Sequence, residues 1–205
     1  MRLHVLVACV ALALPASAIG DDKTPTDKTP TDKTTTDKDK DKAKTTTKLS
    51  DAEISILAHV HHVNQMEIDM GKLAQQKGTS AVKRYGEQLV KDHMANDKDI
   101  LAFAKKRGTA KLPADMPQTE ADKTEHDQMM KDVAKIKTLK GAEFDRDFLT
   151  LMVAGHDKEL TRLDTSIAQA NDTELQDMLR AMKPVLQRHV DSARELQKGN
   201  AQAVR

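Results

Sequence analysis

From Ser50 onward, apolar side chains recur every three or four residues through five stretches, the spacing that covers one face of an α-helix. The first stretch, residues 50–77, opens with Ser50-Asp51-Ala52-Glu53, a capping-box pattern, and ends at Gly78. Its stripe is Ile54, Leu57, His61, Asn64, Ile68 and Gly71, with Glu67 and Ala74 at the edge. The second, 80–107, carries Val82, Tyr85, Leu89, His93, Asn96, Ile100 and Phe103 and closes with Lys105-Lys106-Arg107-Gly108. Basic residues there suit the negative helix end, and a glycine stops the turn. Pro113 and Pro117 make 109–118 a loop. A shorter stretch, 119–138, has Met129, Met130, Val133 and Ile136. After Gly141, residues 142–169 place Phe148, Met152, His156, Leu160, Leu163 and Ile167 in step. Asn171-Asp172 supplies a turn and cap. The last stretch, 173–198, aligns Leu175, Met178, Met182, Leu186, His189, Ala193 and Leu196, and Pro184 is expected to kink it.

Four helices of about 25 residues are each about 38 Å long. The short stretch between the second and third of them is long enough to carry the chain back along the bundle. The second and third long helices are then parallel. The expected fold is all-α: a ferritin-like four-helix bundle with a short extra helix in its crossover. Composition agrees, since 8 Gly, 6 Pro, one Tyr, three Phe and no Trp are too few for a sheet-rich chain. The expected bundle spans 50–198, and 199–205 is an expected disordered tail.

Upstream, Arg2, the apolar run Leu3 to Leu14 and Ala16-Ser17-Ala18 form a secretory signal pattern over 1–18. The run is too short to span a bilayer. Leu6-Val7-Ala8-Cys9 imitates a lipoprotein box, but the apolar run continues for five residues past the cysteine instead of ending before it, so lipidation is not expected. Cleavage after Ala18 would remove Cys9, the only cysteine. Residues 19–49 are Thr, Lys, Asp and Pro with almost nothing to bury, an expected disordered linker. The expected location is the periplasm or cell envelope, with no transmembrane segment in the mature chain. A formal charge of +1 gives no electrostatic reason to expect nucleic acid. No protein partner is specified, and a small oligomer is left open.

Polar residues on the stripes carry the functional argument. Measured from the ends of their helices, His93, His156, His189 and Glu67 fall at similar depth, with offsets of about 5 to 6 Å. Three imidazoles and a carboxylate from four helices form a candidate site for one transition-metal ion. Asn64, Asp92 and Asn96 are placed to hydrogen-bond its ligands. The competing reading is a satisfied polar network that fixes the core. His59-Val60-His61-His62 is read as a chance surface cluster, and most of the methionines as core filling. No phosphate loop, CxxC pair or nucleophile beside a base is present.

The chain from about 50 to 198 resembles an exported ferritin-like family catalogued as a bacterial domain of unknown function and often described as an exported or outer-membrane protein. The resemblance rests on Asn64-Gln65-Met66-Glu67, Gly71-Lys72-Leu73-Ala74, Val90-Lys91-Asp92-His93 and Leu112-Pro113. It continues through Gly141 to Phe148, His156, and Pro184 to His189. It implies the same bundle and a recurring Glu67, His93, His156 and His189, and it implies no settled activity. Di-iron bundles need Glu three residues before His on two helices. Here Val90, Val153 and Leu186 precede the histidines, so ferroxidase chemistry and iron storage are not expected. The expected function is a non-enzymatic binding, protective or structural role in the envelope, with a single-ion metal-binding or redox protein as the alternative.

Overall fold

The computed structural model describes residues 48–117 and 119–203. The signal segment expected at 1–18, and the linker expected at 19–49 apart from its last two residues, lie outside them. The described chain is helical throughout its regular structure: α1 Asp51–Lys77, α2 Ser80–Lys106, α3 Glu120–Thr138, α4 Gly141–Gln169 and α5 Thr173–Ala203. α5 runs through Pro184 and past residue 198, where the bundle was expected to end.

The starts of α1 and α3 are built by their own side chains. Ser50 and Glu53 complete a reciprocal capping box at α1, and Thr119 and Asp122 do the same at α3. Gly78 and Thr79 are all that separate α1 from α2, which forces an antiparallel hairpin. That hairpin closes backbone to backbone. A Cβ on Gly71 would stand 2.7 Å from the Gly86 carbonyl oxygen, and one on Gly86 would stand 2.6 Å from that of Gly71. α4 and α5 form the second hairpin across Ala170, Asn171 and Asp172.

Hydrogen bonds at the two ends set how the hairpins meet. At one end Asp145 of α4 accepts from the N–H (3.1 Å) and hydroxyl of Thr79, the residue that precedes α2. At the other, Glu53 of α1 accepts from the N–H groups of Asn171 (3.0 Å) and Asp172 (2.8 Å). Arg107, just past α2, pairs there with Asp172 (2.7 Å) and Glu174 (3.0 Å) and lies over the Phe103 ring. The end of α2 therefore meets the start of α5, and α2 and α4 run parallel. The loop after Arg107 and α3 carry the chain back, as the stretch lengths predict. None of the helices among the described residues is long and apolar enough to cross a membrane.

The buried apolar side chains fall into two clusters rather than one. One contains Leu57, Ile100, Phe103, Leu163, Leu175 and Leu179; the other contains Val82, Tyr85, Leu89, Phe144, Phe148 and Met152. On every long helix the polar residues Asn64, Glu67, His93, His156 and His189 stand between the two. The middle of the bundle is thus a polar layer between two apolar halves.

The α1 stripe is turned from its expected position. Glu67 is only 4 % exposed, whereas His61 keeps a third of its side chain in solvent and bonds Asp97 at 2.6 Å. α1 packs against both α2 and α4, so it buries two faces, and a single-stripe reading centres on neither.

Candidate metal centre

His93 comes from α2, His156 from α4 and His189 from α5, each 2 to 4 % exposed. Their ring centroids are 5.2 to 5.8 Å apart. One ring nitrogen from each lies within 4.8 Å of the other two, and this is the one such group of three or more among the described residues.

The outer hydrogen bonds decide which nitrogens carry protons. His156 Nδ1 is 2.9 Å from the Met152 carbonyl, which can only accept, so Nδ1 donates and Nε2 keeps its lone pair. Asn64 donates to Asn96 Oδ1 at 2.7 Å, which turns its own Oδ1 toward His93 Nδ1 at 2.9 Å. His93 donates there as well, and its Nε2 is left with no partner. His189 Nε2 lies 3.0 Å from Asp92 Oδ2. Burial works against the charge of Asp92, but hydrogen bonds from Gln88 and His189 outweigh it and hold its carboxyl below the usual range. An ionised carboxylate only accepts, so His189 donates from Nε2.

Burial also favours the neutral forms of His93 and His189. It lowers His93 to about 3, helped by the neighbouring imidazoles, and lowers His189 in spite of Asp92. A neutral His189 that donates from Nε2 has a lone pair on Nδ1. That atom faces the His156 Nε2 lone pair at 3.2 Å. Two bare lone pairs at hydrogen-bond distance repel unless a proton or a cation lies between them. Two nitrogens bound to one ion at about 2.0–2.1 Å with tetrahedral angles stand about 3.3 Å apart. The observed pair is already at that spacing. The His93 nitrogen would reach it by moving about 1.5 Å or less, by the same bond lengths.

Glu67 stands outside this triangle. Its Oε1 is 3.8 Å from His156 Nδ1, on the side of the ring turned away from His189, and its Oε2 is buried without a partner. Burial raises its carboxyl above the usual range, and nearby Glu159 adds to this while His156 opposes it. As placed, Glu67 flanks a histidine rather than completing the set. Asn64 and Asp92 bond His93 and His189 directly, whereas Asn96 reaches the group only through Asn64. Two partners were not singled out from the sequence. One is the Met152 carbonyl, a backbone group with no sequence signal. The other is Tyr85, whose hydroxyl donates to the His189 carbonyl at 3.2 Å. Tyr85 gave a signal by standing on the α2 stripe.

The His59–His62 run is not one surface cluster. His59 is 16 % exposed and faces Asp115 at 2.8 Å and Glu159 at 3.0 Å. Burial and Arg162 oppose its charge, but the two carboxylates outweigh them and raise its pKa. His61 bonds Asp97, and His62 is exposed. Methionine filling holds for Met70 and Met152, and Met129, Met178 and Met182 pack against the two clusters, whereas Met94 and Met130 are 56 and 49 % exposed.

No curated protein and no solved structure matches the chain. A family model does match, over residues 38–196, which includes all of the centre just described. The chain belongs to the family described as a domain of unknown function, DUF4142.

Proposed function

We propose that this chain is an exported, non-enzymatic helical-bundle protein that binds one first-row transition-metal ion through His93, His156 and His189. The single observation that carries the reading is the proton accounting. Each imidazole donates its outer N–H to an acceptor, leaving three bare nitrogens in the polar layer. Ligating histidines recur in that arrangement, the outer bond fixing the tautomer. Three neutral imidazoles suit zinc, copper(II) or nickel, and a three-histidine set leaves a further coordination position open. Glu67 is proposed as a reserve ligand or a charge balance beside His156. The absence of Glu three residues before each histidine supports one ion rather than a bridged pair. Export is supported by the signal pattern at 1–18.

A second reading has its own observation. The contacts from His156 to His189 to Asp92, at 3.2 and 3.0 Å, also fit a protonated His189 that donates to both neighbours. The polar layer would then be structural.

Elemental analysis of untagged protein, beside a His93→Ala/His156→Ala double variant, separates the two. One equivalent of metal per wild-type chain, absent from the variant, is expected. A wild type that neither carries nor tightly binds zinc, copper, nickel, iron or manganese would reject the metal reading. An imidazole ¹⁵N spectrum showing His189 doubly protonated would then establish the structural one.

A further inference from the structure

Ion pairs fix the level of α3 on α4. Glu125 pairs with Lys158, Asp122 lies 4.0 Å from Arg162, and Lys135 lies 2.7 Å from Asp147, so the two helices run antiparallel. α1 meets α4 through His59 and Glu159 at 3.0 Å and through Glu67 and His156 at 3.8 Å. Between α1 and α3 a cleft of about 510 Å³ remains, and α4 lines its floor. α1 turns His62, Val63 and Met66 into it, and α3 turns Glu125, His126 and Met129, one helical stripe from each.

The same pairs set the donors at one level. Counted from them by helical rise, His62, Met66, His126 and Met129 fall within about 8 Å of one another along the bundle. Each helix thus brings a histidine and a methionine one turn apart to a shared cleft. On the floor at that level stand Ala154 and Gly155, and a Cβ on Gly155 would meet nothing within 4 Å. The space between the two walls is left to their own side chains.

Chemistry selects the occupant. Thioether sulfur is a soft, uncharged donor that favours copper(I), and imidazole is a good copper ligand too. Magnesium and calcium prefer oxygen. Five carboxylates line the cleft against Lys158 and Arg162, an excess that favours a cation. His59 is turned to Asp115 and Glu159 through its two ring nitrogens and stands outside the set. None of His93, His156 and His189 lines this cleft.

We propose that His62, Met66, His126 and Met129 form a second metal site, separate from the histidine centre, that takes one copper(I) ion. It does not rest on the metal-binding reading above.

The test is an anaerobic titration with copper(I) in competition with a chromophoric chelator. It uses the wild type, His93→Ala/His156→Ala and Met66→Leu/Met129→Leu, and ¹³C-labelled methionine methyl groups are followed by NMR. Leucine keeps the volume of methionine without its sulfur, so the second variant should fold. The His93→Ala/His156→Ala variant is expected to keep one equivalent of copper(I). Met66→Leu/Met129→Leu should bind that equivalent about tenfold or more weakly, and should bind zinc as the wild type does. In the wild type the Met66 and Met129 methyl resonances should shift with copper(I), and that of exposed Met94 on α2 should not. Met66 and Met129 methyl groups that do not move overturn the proposal, as does a methionine variant that binds copper(I) like the wild type. Loss of all copper(I) from a folded His93→Ala/His156→Ala variant also overturns it and assigns the ion to the central histidines. If that variant does not fold, the wild-type methyl shifts decide alone.

Discussion

Glu53 and Asp145, near opposite ends of the bundle, are buried as deeply as Glu67 and His93 in its middle, at 4 and 0 % against 4 and 4 % exposure. At the ends every oxygen of these two carboxylates is used, although Arg107 Nε, beside Asp172, is buried without a partner. Glu53 Oε1 takes two N–H groups from the α4–α5 turn, and Oε2 takes the N–H and hydroxyl of Ser50. Burial works against the charge of Glu53, yet these bonds outweigh it and hold its pKa below the usual range. In the middle, Glu67 Oε2 and His93 Nε2 have no partner, and burial drives both residues toward their neutral forms. Buried polar groups left unpaired cost about 1–3 kcal/mol each. The ends are polar in order to hold the fold together. The middle bears a cost, and at His93 Nε2 the proposed ion would remove it.

The comparison breaks first at Glu53. Glu53→Ala strands four donors and should lower stability by about 3 to 5 kcal/mol in urea unfolding, with or without metal. A loss under about 1 kcal/mol would mean the ends are not the braces described.

The middle should answer to metal instead. Zinc at about 100 times its Kd should stabilise the wild type by about 2.7 kcal/mol and His93→Leu not at all. Equal stabilisation of both would place the ion elsewhere.

Acid sharpens the contrast further. His93 has a lowered pKa in the folded chain, so the unfolded chain binds its proton first as pH falls below about 6.5. Stability therefore drops on acidification through that window, by about 2 kcal/mol at pH 5. Glu67, with a raised pKa, has the opposite sign, and its window opens at the usual carboxylate range and runs upward. His59, also raised, stabilises below about pH 6.5 and loses that contribution as pH climbs through its folded pKa. Metal-free His93→Leu should accordingly lose the first part of the acid limb, and His59→Gln should keep it. An unchanged limb in His93→Leu would show that His93 is not buried in its neutral form.

The smallest effect belongs to a region that neither the braces nor the histidine centre touches. α3 buries only Val133 and Ile136, and its capping box is solvent-exposed. Thr119→Ala should cost about 1 kcal/mol, seen as faster amide exchange confined to α3. Exchange that also rose near His156 would tie α3 to the centre.

Much of this was legible in the residues. The ladder of apolar stripes, Gly78, the Ser50 box and the prolines at 113 and 117 located the helices because those signals are local, acting within a turn or two of chain. Helix length and the short fifth stretch were enough to make α2 and α4 parallel. Rise per residue brought His93, His156 and His189 to one level, since depth along a rigid helix is arithmetic. Rotation about each helix axis was not available in that way. Which face α1 buries depends on α2 and α4 together, so Glu67 was read at the edge and His61 on the stripe, when the bundle buries the first and leaves the second part-exposed. Ring orientation, and with it the three bare nitrogens, depends on the Met152 carbonyl and on Asn64 and Asp92, partners up to 97 residues away in sequence. His59 likewise found Glu159 only through the packing of α1 on α4. Local periodicity and chain length determined the elements, their order and the level of the histidines, because each is a property of a single helix. Which atoms face one another, and which are left without a partner, was decided by the packing of one helix on the next.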